Sequence, residues 1–258
     1  MTRIFFAFLF SLSMLSPAQA DIFGGEDVRA SDGVQNSIVA LYQQTSNTQG
    51  ALCTASLLGQ DVALTAAHCV SGSSMRTVLI FGRTLQSRQQ SPNVRQVSRV
   101  LISPRWSRSE GQGMDEGDIA LVRFEGGLPS GYHAAEPLSS DAALKAGQKL
   151  ILAGYGISNA VTHTGAGVLR KTEVTLIDPR PGKTEMILDQ THGKGACHGD
   201  SGGPAFLKLG ARLILAGVTN RGYPATAPDN CASDVVYTKV SAYYSWIEKG
   251  IQELRSSH

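Results

Sequence analysis

The sequence lacks a strong excess of either charge. Its 258 residues contain 23 Lys and Arg against 21 Asp and Glu, a formal net charge of +2, whereas a nucleic-acid-binding surface needs a clustered excess of basic residues. Beyond the first twenty residues it also has no apolar run near the roughly 20 residues that a membrane-spanning helix needs. The composition therefore predicts neither a nucleic-acid partner nor a stable membrane anchor.

The first twenty residues have the pattern of a secretory signal peptide. Arg3 supplies a positive start, an apolar run covers residues 4–15, and Ala18-Gln19-Ala20 has the small-x-small form of a cleavage site. We therefore expect a signal peptide over residues 1–20 and an exported protein, extracellular or periplasmic. Cleavage after Ala20 leaves Asp21 at the front of the mature chain.

Cysteine is scarce, with four residues in the whole chain. In an exported protein they are expected to form disulfides, because disulfides persist in oxidising compartments. Four cysteines allow three pairings, and their spacing alone does not choose among them.

Aromatic residues are also few, at 7%, while 28 glycines indicate many turns. Short apolar or alternating runs between Gly, Ser, Asn and Pro are typical of strands in a barrel or sandwich. The strongest runs are Ser37–Tyr42, Val78–Phe81, Val97–Ile102, Ile119–Phe124, Leu150–Ala153 and Leu213–Val218. Near the C-terminus, apolar residues recur at steps of three and four and predict one amphipathic helix: Val240, Tyr244, Ile247, Ile251 and Leu254.

Acidic residues are absent between Asp61 and Glu110, and seven arginines fall in that interval. A basic exosite for substrate is one interpretation. Arginines scattered over strands and loops are more often a solvated face, and we favour that interpretation. The seven are Arg76, Arg83, Arg88, Arg95, Arg99, Arg105 and Arg108.

Three segments place a reactive side chain among small neighbours. They are Leu64–Cys69 around His68, Gly117–Leu121 around Asp118, and Gly195–Pro204 around Ser201. A serine between glycines exposes its hydroxyl and leaves backbone N–H groups available for an oxyanion. That hydroxyl needs a base to take its proton and a third group to orient the base. A histidine and an aspartate elsewhere in the chain can supply both.

These segments resemble the TAAHC, DIAL and GDSGGP signatures of the trypsin or chymotrypsin-like serine proteases, in that family's order. Three further segments resemble features of the same family. Ile22–Gly25 resembles its mature N-terminus, Gly154-Tyr155-Gly156 resembles the end of one of its strands, and Val236–Val240 resembles the run that leads into its final helix. The resemblance thus covers essentially the whole mature chain. It implies an all-β fold of two packed antiparallel barrels with a C-terminal helix, the first over residues 22–129 and the second over residues 130–258.

The resemblance also implies the role of each site residue. Ser201 would attack the peptide carbonyl, His68 would take and return its proton, and Asp118 would orient the imidazole. The N–H groups of Gly199 and Ser201 would form the oxyanion hole. Asp115 and Glu116 would have no catalytic part, because only Asp118 precedes the Ile-Ala-Leu run in register.

Two further features follow from the same resemblance. Asp200 would pair with the freed α-ammonium of Ile22 and so shape the oxyanion loop. Asp21 would block this pairing, so either a trimming step removes it or signal cleavage falls one residue later than predicted. Cys53 would pair with Cys69, and Cys197 with Cys231. Other disulfides common in the animal enzymes have no cysteines here, which suggests a pared-down, bacterial member.

The substrate pocket departs from the pattern of the Arg- and Lys-cleaving members. They have an aspartate six residues before the nucleophile, where this chain has Gly195. An unpaired buried cation would cost several kcal/mol. With Val235 at the floor and Gly222 at the mouth, we expect cleavage after small or medium apolar residues such as Ala, Val or Leu. Arg221 and His198 leave open an alternative preference for acidic groups.

Other classes of function fit less well. An α/β-hydrolase has its histidine after the serine, and here only His258 follows Ser201. A metalloenzyme is not indicated, because the chain has no ligand motif such as His-Glu-x-x-His or paired Cys-x-x-Cys. The acid-free stretch also lacks the carboxylates of a calcium loop, so we expect no metal or cofactor. A catalytically inactive, protease-like binding protein remains the alternative to an active enzyme. The expected partners are protein or peptide substrates, and we expect a monomer.

Overall fold

The computed structural model describes residues 22–85, 93–106, 113–226 and 231–256. The predicted signal peptide, Asp21, Arg88 and Arg108 lie outside the described residues.

The first barrel is a closed ring of six antiparallel strands in the order β2-β3-β4-β7-β6-β5. A short strand, β1 (Glu26–Asp27), precedes it. The six strands are β2 (Ile38–Gln44), β3 (Gly50–Leu57), β4 (Val62–Thr65), β5 (Arg76–Ile80), β6 (Val94–Ile102) and β7 (Ala120–Phe124).

The second barrel closes in the same way, in the order β10-β11-β14-β13-β12-β9, with β9 pairing back onto β10. Its strands are β9 (Lys149–Gly154), β10 (Arg170–Asp178), β11 (Glu185–Asp189), β12 (Pro204–Leu209), β13 (Arg212–Tyr223) and β14 (Asp234–Lys239). A two-residue strand, β8 (Glu136–Pro137), adds parallel to β13, and β1 pairs with β10. The predicted all-β, two-barrel fold is confirmed.

The six apolar runs singled out from the sequence correspond to β2, β5, β6, β7, β9 and β13. Their residues contribute to two apolar cores. One fills the first barrel and extends to residues of the second, such as Phe206 and Leu215, and to the C-terminal helix; the other lies within the second barrel. β3 was not predicted, because Thr54 and Ser56 are polar; both are nevertheless buried, and Thr54 contacts Gly199 and Ser201 of the second barrel. β10 alternates between buried residues such as Val174 and exposed residues such as Glu173, the pattern of a strand with one solvated face.

The predicted C-terminal helix is α1 (Tyr244–Ser256). Although it follows the second barrel in sequence, it packs against β6 and β7 of the first. Gly250 permits this approach, because a Cβ there would lie 2.6 Å from Leu121. Arg99 and Arg123 each donate to the carbonyl oxygen of Leu254 at the end of the helix, at 3.1 and 3.0 Å.

In the connections that the structure describes there are five short 3₁₀ helices: Ala30–Asp32, Val34–Ser37, Ala67–Cys69, Asp141–Ala143 and Ser241–Tyr243. Among the described residues, no helix combines the length and the apolar character that crossing a bilayer would need.

Candidate active site between the barrels

His68 lies in the 3₁₀ turn Ala67–Cys69 that follows β4 of the first barrel. A disulfide joins Cys69 to Cys53 in β3, so the turn is tied covalently to the neighbouring strand. About a third of the His68 side chain is exposed, at 35%. The ring is therefore fixed at its base and open to solvent at its edge.

Asp118 holds His68 through two hydrogen bonds. Its Oδ1 accepts from the backbone N–H of His68 at 2.9 Å, and its Oδ2 lies 2.7 Å from Nδ1 of the ring. Asp118 is 1% exposed. A carboxylate only accepts hydrogen bonds, so the ring nitrogen that faces it, Nδ1, carries the proton in the neutral tautomer that this contact favours, and Nε2 is then the basic nitrogen.

Ser201 comes from the second barrel and sits against the residues that precede His68. Its carbonyl oxygen accepts from the N–H of Thr54 at 2.9 Å. Gly202, the next residue, packs so closely that a Cβ there would lie 2.8 Å from the backbone nitrogen of Ala66. The backbone of Ser201 thus lies beside the turn that carries His68, with its carbonyl oxygen 3.6 Å from Sγ of Cys69, the residue after His68.

The turn before Ser201 supplies backbone donors. Gly199 has a φ of +98°, and a Cβ there would lie 2.9 Å from Cα of Gly156, so only glycine fits. Within the described part of the chain, the N–H groups of Gly199 and Ser201 have no hydrogen-bond acceptor. Two unpaired donors beside a serine hydroxyl form the arrangement that stabilises an oxyanion.

Asp200 is buried behind this turn. Its carboxylate accepts from the N–H of Cys197 at 2.9 Å and from that of Gly156 at 2.8 Å. Burial raises its pKa to about 7, and these two hydrogen bonds and the charge of Arg170 only partly offset the rise. The carboxylate lacks a full counter-charge at this depth.

The predicted mature N-terminus runs beside the same loop. Ile22 is 1% exposed, and the carbonyl oxygen of Phe23 accepts from the N–H of Gly195 at 2.8 Å. Gly24 packs on Gly193. In the full chain the nitrogen of Ile22 is part of the peptide bond to Asp21, so it carries no charge to offer Asp200.

The side chain of Gln190 fills the space next to Gly195, the first of the predicted pocket positions. A Cβ at Gly195 would overlap the side chain of Gln190, which is 2% exposed. The Gln190 amide accepts from the N–H of Ala196 and donates to carbonyl oxygens of Ala196, Cys231 and Ser233 at 3.2–3.3 Å. Gln190 was not predicted as a site residue, because no sequence motif marks it.

Two further predicted pocket positions lie opposite each other. Val235 of β14 is 4% exposed and pairs with Gly222 of β13. A Cβ at Gly222 would meet nothing within 4 Å, so the backbone here is open to a ligand. Cys231 pairs with Cys197, as the family resemblance implies.

His198 and Arg221 differ in their surroundings. His198 is exposed, and its ring centroid lies 5.8 Å from that of His163. Arg221 instead forms an ion pair with Glu185, whose side chain is fully buried. Glu185 and Asn220, which contacts both Arg221 and Asp118, were not recognised from the sequence.

Asp115 has a structural role: it connects the loop before Asp118 to the second barrel. It accepts from the N–H groups of Lys183 and Thr184 at 2.8 and 2.5 Å, and from the Thr184 hydroxyl at 2.8 Å. Burial acts to raise its pKa, but these hydrogen bonds and the charge of Lys239 outweigh it and lower the pKa. The loop before Asp118 is therefore fastened to the second barrel. Glu116 accepts from the N–H of Gly113 within that loop at 3.0 Å.

Several of the basic residues in the acid-free segment have partners within the fold. Arg95 donates to the carbonyl oxygen of Gly127 at 2.9 Å and lies over the ring of Phe81. Arg76 donates to Gln96 at 2.6 Å, and Arg99 caps the C-terminal helix. These contacts favour a structural role for these arginines over a role in binding substrate at an exosite.

Two clusters in the described residues have the side-chain types of a metal site: Cys53, His68 and Cys69, and Cys197, His198 and Cys231. In each, the two cysteines are joined in a disulfide. A disulfide offers no thiolate, so neither cluster is suited to hold a metal ion.

Comparison with known proteins agrees with this geometry. The chain matches the Trypsin family over residues 22–247. It is 30% identical over 208 residues to mouse kallikrein-8, covering 77% of this chain and 76% of the relative. It is 27% identical to chymotrypsin of Phaedon cochleariae, covering 91% of this chain and 83% of the relative. It is 26% identical to trypsin Blo t 3 of Blomia tropicalis, covering 92% of this chain and 91% of the relative.

A solved collagenase structure superposes with a TM-score of 0.72 at 21% identity, covering 89% of this chain and 98% of that one. The fold is therefore that of the chymotrypsin-like double barrel. The chain belongs to the trypsin family and is a serine endopeptidase.

Proposed function

We propose that this protein is a secreted endopeptidase that cuts peptide bonds through an acyl-enzyme, with Ser201 as nucleophile, His68 as general base and acid, and Asp118 as the group that orients the imidazole. The observation that carries the proposal is the pair of hydrogen bonds from His68 to the two oxygens of Asp118. They fix both the turn and the ring, and leave Nε2 as the basic nitrogen next to the Ser201 loop.

The chemical steps follow from this arrangement. Nε2 of His68 takes the proton of the Ser201 hydroxyl while Oγ attacks the carbonyl carbon, and the N–H groups of Gly199 and Ser201 bind the oxyanion. The imidazolium returns its proton to the leaving amine, and water then releases the acyl group by the same route. Loss of one oxyanion donor costs about 3–4 kcal/mol in such enzymes.

Activation is proposed to depend on removal of Asp21. The buried Asp200 carboxylate has a pKa of about 7 because burial disfavours its charge. A free ammonium at Ile22, which is itself buried, would supply the missing counter-charge. Export is supported by the signal-peptide pattern and by the two disulfides, which persist in oxidising compartments.

The enzyme is proposed not to prefer Arg or Lys at the cleavage site. Gln190 places a hydrogen-bonded amide at the base of the pocket, where the Arg- and Lys-cleaving members have a carboxylate. Asp234 is the nearest acid in sequence to Val235: its carboxyl group interacts with the backbone N–H of Gln190, and burial, aided by the charge of Asp189, raises its pKa. Because burial disfavours its charge, Asp234 is a poor counter-ion for a substrate Arg or Lys, and Val235, opposite Gly222, is the residue of this strand that we assign to the pocket.

The test is to incubate protein that begins at Ile22 with casein and with an acylating, serine-directed inhibitor. We expect hydrolysis, loss of activity on acylation, and a mass increase on the peptide that contains Ser201. The Ser201→Ala variant is the matched control and should show neither. A folded, trimmed protein that neither cuts casein nor reacts with the inhibitor would instead favour the catalytically inactive binding protein.

A further inference from the structure

A buried ion pair lies directly behind the predicted triad. Glu185 of β11 has no exposed side-chain surface, and Arg221 of β13 has 15%. The two are joined in a bidentate pair, Nη1 to Oε1 and Nη2 to Oε2, both at 3.0 Å. Two planar groups matched in this way are held in one orientation.

Asn220 connects this pair to Asp118. In the orientation that satisfies both ends of its amide, the nitrogen donates to Oδ2 of Asp118 at 3.0 Å and the oxygen accepts from Nη1 of Arg221 at 2.9 Å. Oδ2 is also the atom that receives Nδ1 of His68. A continuous chain of hydrogen bonds thus runs from Glu185 to the imidazole.

A β-bulge produces this geometry. In the pairing of β13 with β14, Thr219 lies opposite Tyr237 and Arg221 opposite Val236, so Asn220 is an extra residue without a partner. A bulge redirects the side chains around it and often lies next to an active site. Here it places two successive polar side chains where they contact Asp118 and Glu185.

The guanidinium of Arg221 is fully engaged at its two terminal nitrogens. Nη1 contacts Glu185 and Asn220, and Nη2 contacts Glu185 and the carbonyl oxygen of Gly113, the last at 2.6 Å. Each nitrogen carries two N–H groups, and these four contacts use all of them. Arg221 is thus poorly placed to attract an acidic group of the substrate.

We propose that Arg221 is a positioning residue: with Glu185 as its counter-ion, it holds the amide of Asn220 on Asp118 and so fixes the carboxylate that orients His68. This inference rests on the proposed triad. Asp118 follows the last loop of the first barrel, whereas Glu185, Asn220 and Arg221 all belong to the second. The network therefore ties a catalytic group of the first barrel to the second barrel, which carries Ser201.

The test compares Arg221→Met with the wild type in protein that begins at Ile22, after titration of intact active sites. We expect kcat to fall by about tenfold to a hundredfold with little change in KM, because a misdirected triad slows chemistry more than binding. Losing the donor on Asp118 also favours the imidazolium of His68, so the acid limb of kcat/KM should move to higher pH. A variant that is merely less folded would keep its acid limb and have fewer titratable sites.

A double-mutant cycle tests whether Arg221 acts through Asn220. Asn220→Ala alone should lower kcat by a similar factor, and adding Arg221→Met to it should change kcat little further. If Arg221→Met costs the same factor in both backgrounds, Arg221 acts independently of Asn220 and the proposal is wrong. An unchanged kcat in Arg221→Met would refute it as well.

Two further variants keep the test decisive. Arg212→Met is the matched control, since Arg212 forms a bidentate pair with Glu136 at the exposed end of the same strand, and kcat should not change. If Arg221→Met does not fold because Glu185 is left unpaired, the neutral Glu185→Met/Arg221→Met variant replaces it. This double variant should fold and still have a low kcat; a wild-type kcat would overturn the proposal.

Failure of the proposed function can be told apart from failure of this inference. The midpoint of the His68 ring titration, followed by NMR in the Ser201→Ala background, requires no activity. It should move to higher pH in Arg221→Met whether or not the wild type cleaves peptides. An unchanged midpoint rejects the positioning role of Arg221 alone.

Discussion

Gln190 occupies the space that a side chain at Gly195 would need. Its amide is hydrogen-bonded to the backbone of Ala196, Cys231 and Ser233, so it is not free to move aside. In the proposed pocket, the absence of an acid at position 195 is therefore matched by a neighbouring neutral amide.

This relationship predicts the outcome of an engineered change in specificity. Gly195→Asp alone should lose activity and about 1–3 kcal/mol of stability, because the new side chain overlaps Gln190. Adding Gln190→Gly makes room, and the double variant should gain cleavage after Arg and Lys. Ratios of kcat/KM for matched Ala, Leu, Arg and Lys peptides measure this. A Gly195→Asp variant as stable and active as the wild type would show that the pocket is not filled in this way.

The wild-type protein should cut mainly after small or medium apolar residues. The proposed pocket has the neutral amide of Gln190 and the apolar side chain of Val235 at its floor, and an open backbone at Gly222. Cleavage mapping on a diverse peptide mixture gives the preference. Most cuts after Arg or Lys would contradict the prediction, and most cuts after Asp or Glu would assign an attractive role to His198, since Arg221 is already paired.

Replacing triad residues should separate chemistry from folding. Ser201→Ala and His68→Ala should each remove nearly all kcat, and Asp118→Asn should reduce it by about three to four orders of magnitude because an amide favours the wrong imidazole tautomer. Thermal unfolding serves as the control for each variant. A Ser201→Ala protein that keeps more than about a hundredth of the wild-type kcat would rule out the mechanism.

The fold could be predicted because its strongest strands are apolar runs between turn residues, and because three signature segments occur in one order. Strands such as β3 were not predicted, because they contain polar residues such as Thr54, which is buried by contact between the two barrels. That contact depends on tertiary packing and leaves no periodic signal.

The site residues also fall into two groups: those marked by a sequence motif and those positioned only by tertiary packing. His68, Asp118 and Ser201 lie in recognisable segments, and the structure brings them together. Gln190, Asn220 and Glu185 act through pairings of distant strands and through one β-bulge. A bulge changes which face a side chain takes, and the sequence of β13 by itself does not indicate where the extra residue falls.

The last prediction concerns Asp200 and the state of the N-terminus. While Asp21 is in place, burial gives Asp200 a pKa of about 7, whereas an unfolded aspartate titrates near ~3.9. Between these values the folded chain holds a proton that the unfolded chain has released. Its free energy of unfolding should therefore fall as pH rises from about 4 to 7, by up to about 1.4 kcal/mol per pH unit.

A chain that begins at Ile22 should lose this dependence, because its ammonium stabilises the ionised carboxylate and lowers the pKa of Asp200. Urea denaturation of both forms at pH 4.5 and pH 7 measures the difference, with Asp200→Asn in the extended form as the control that should also lack the dependence. Trimming should raise peptidase activity at the same time. Equal activity and equal pH dependence in the trimmed and extended forms would show that Ile22 and Asp200 do not pair, and that the oxyanion turn forms without that ion pair.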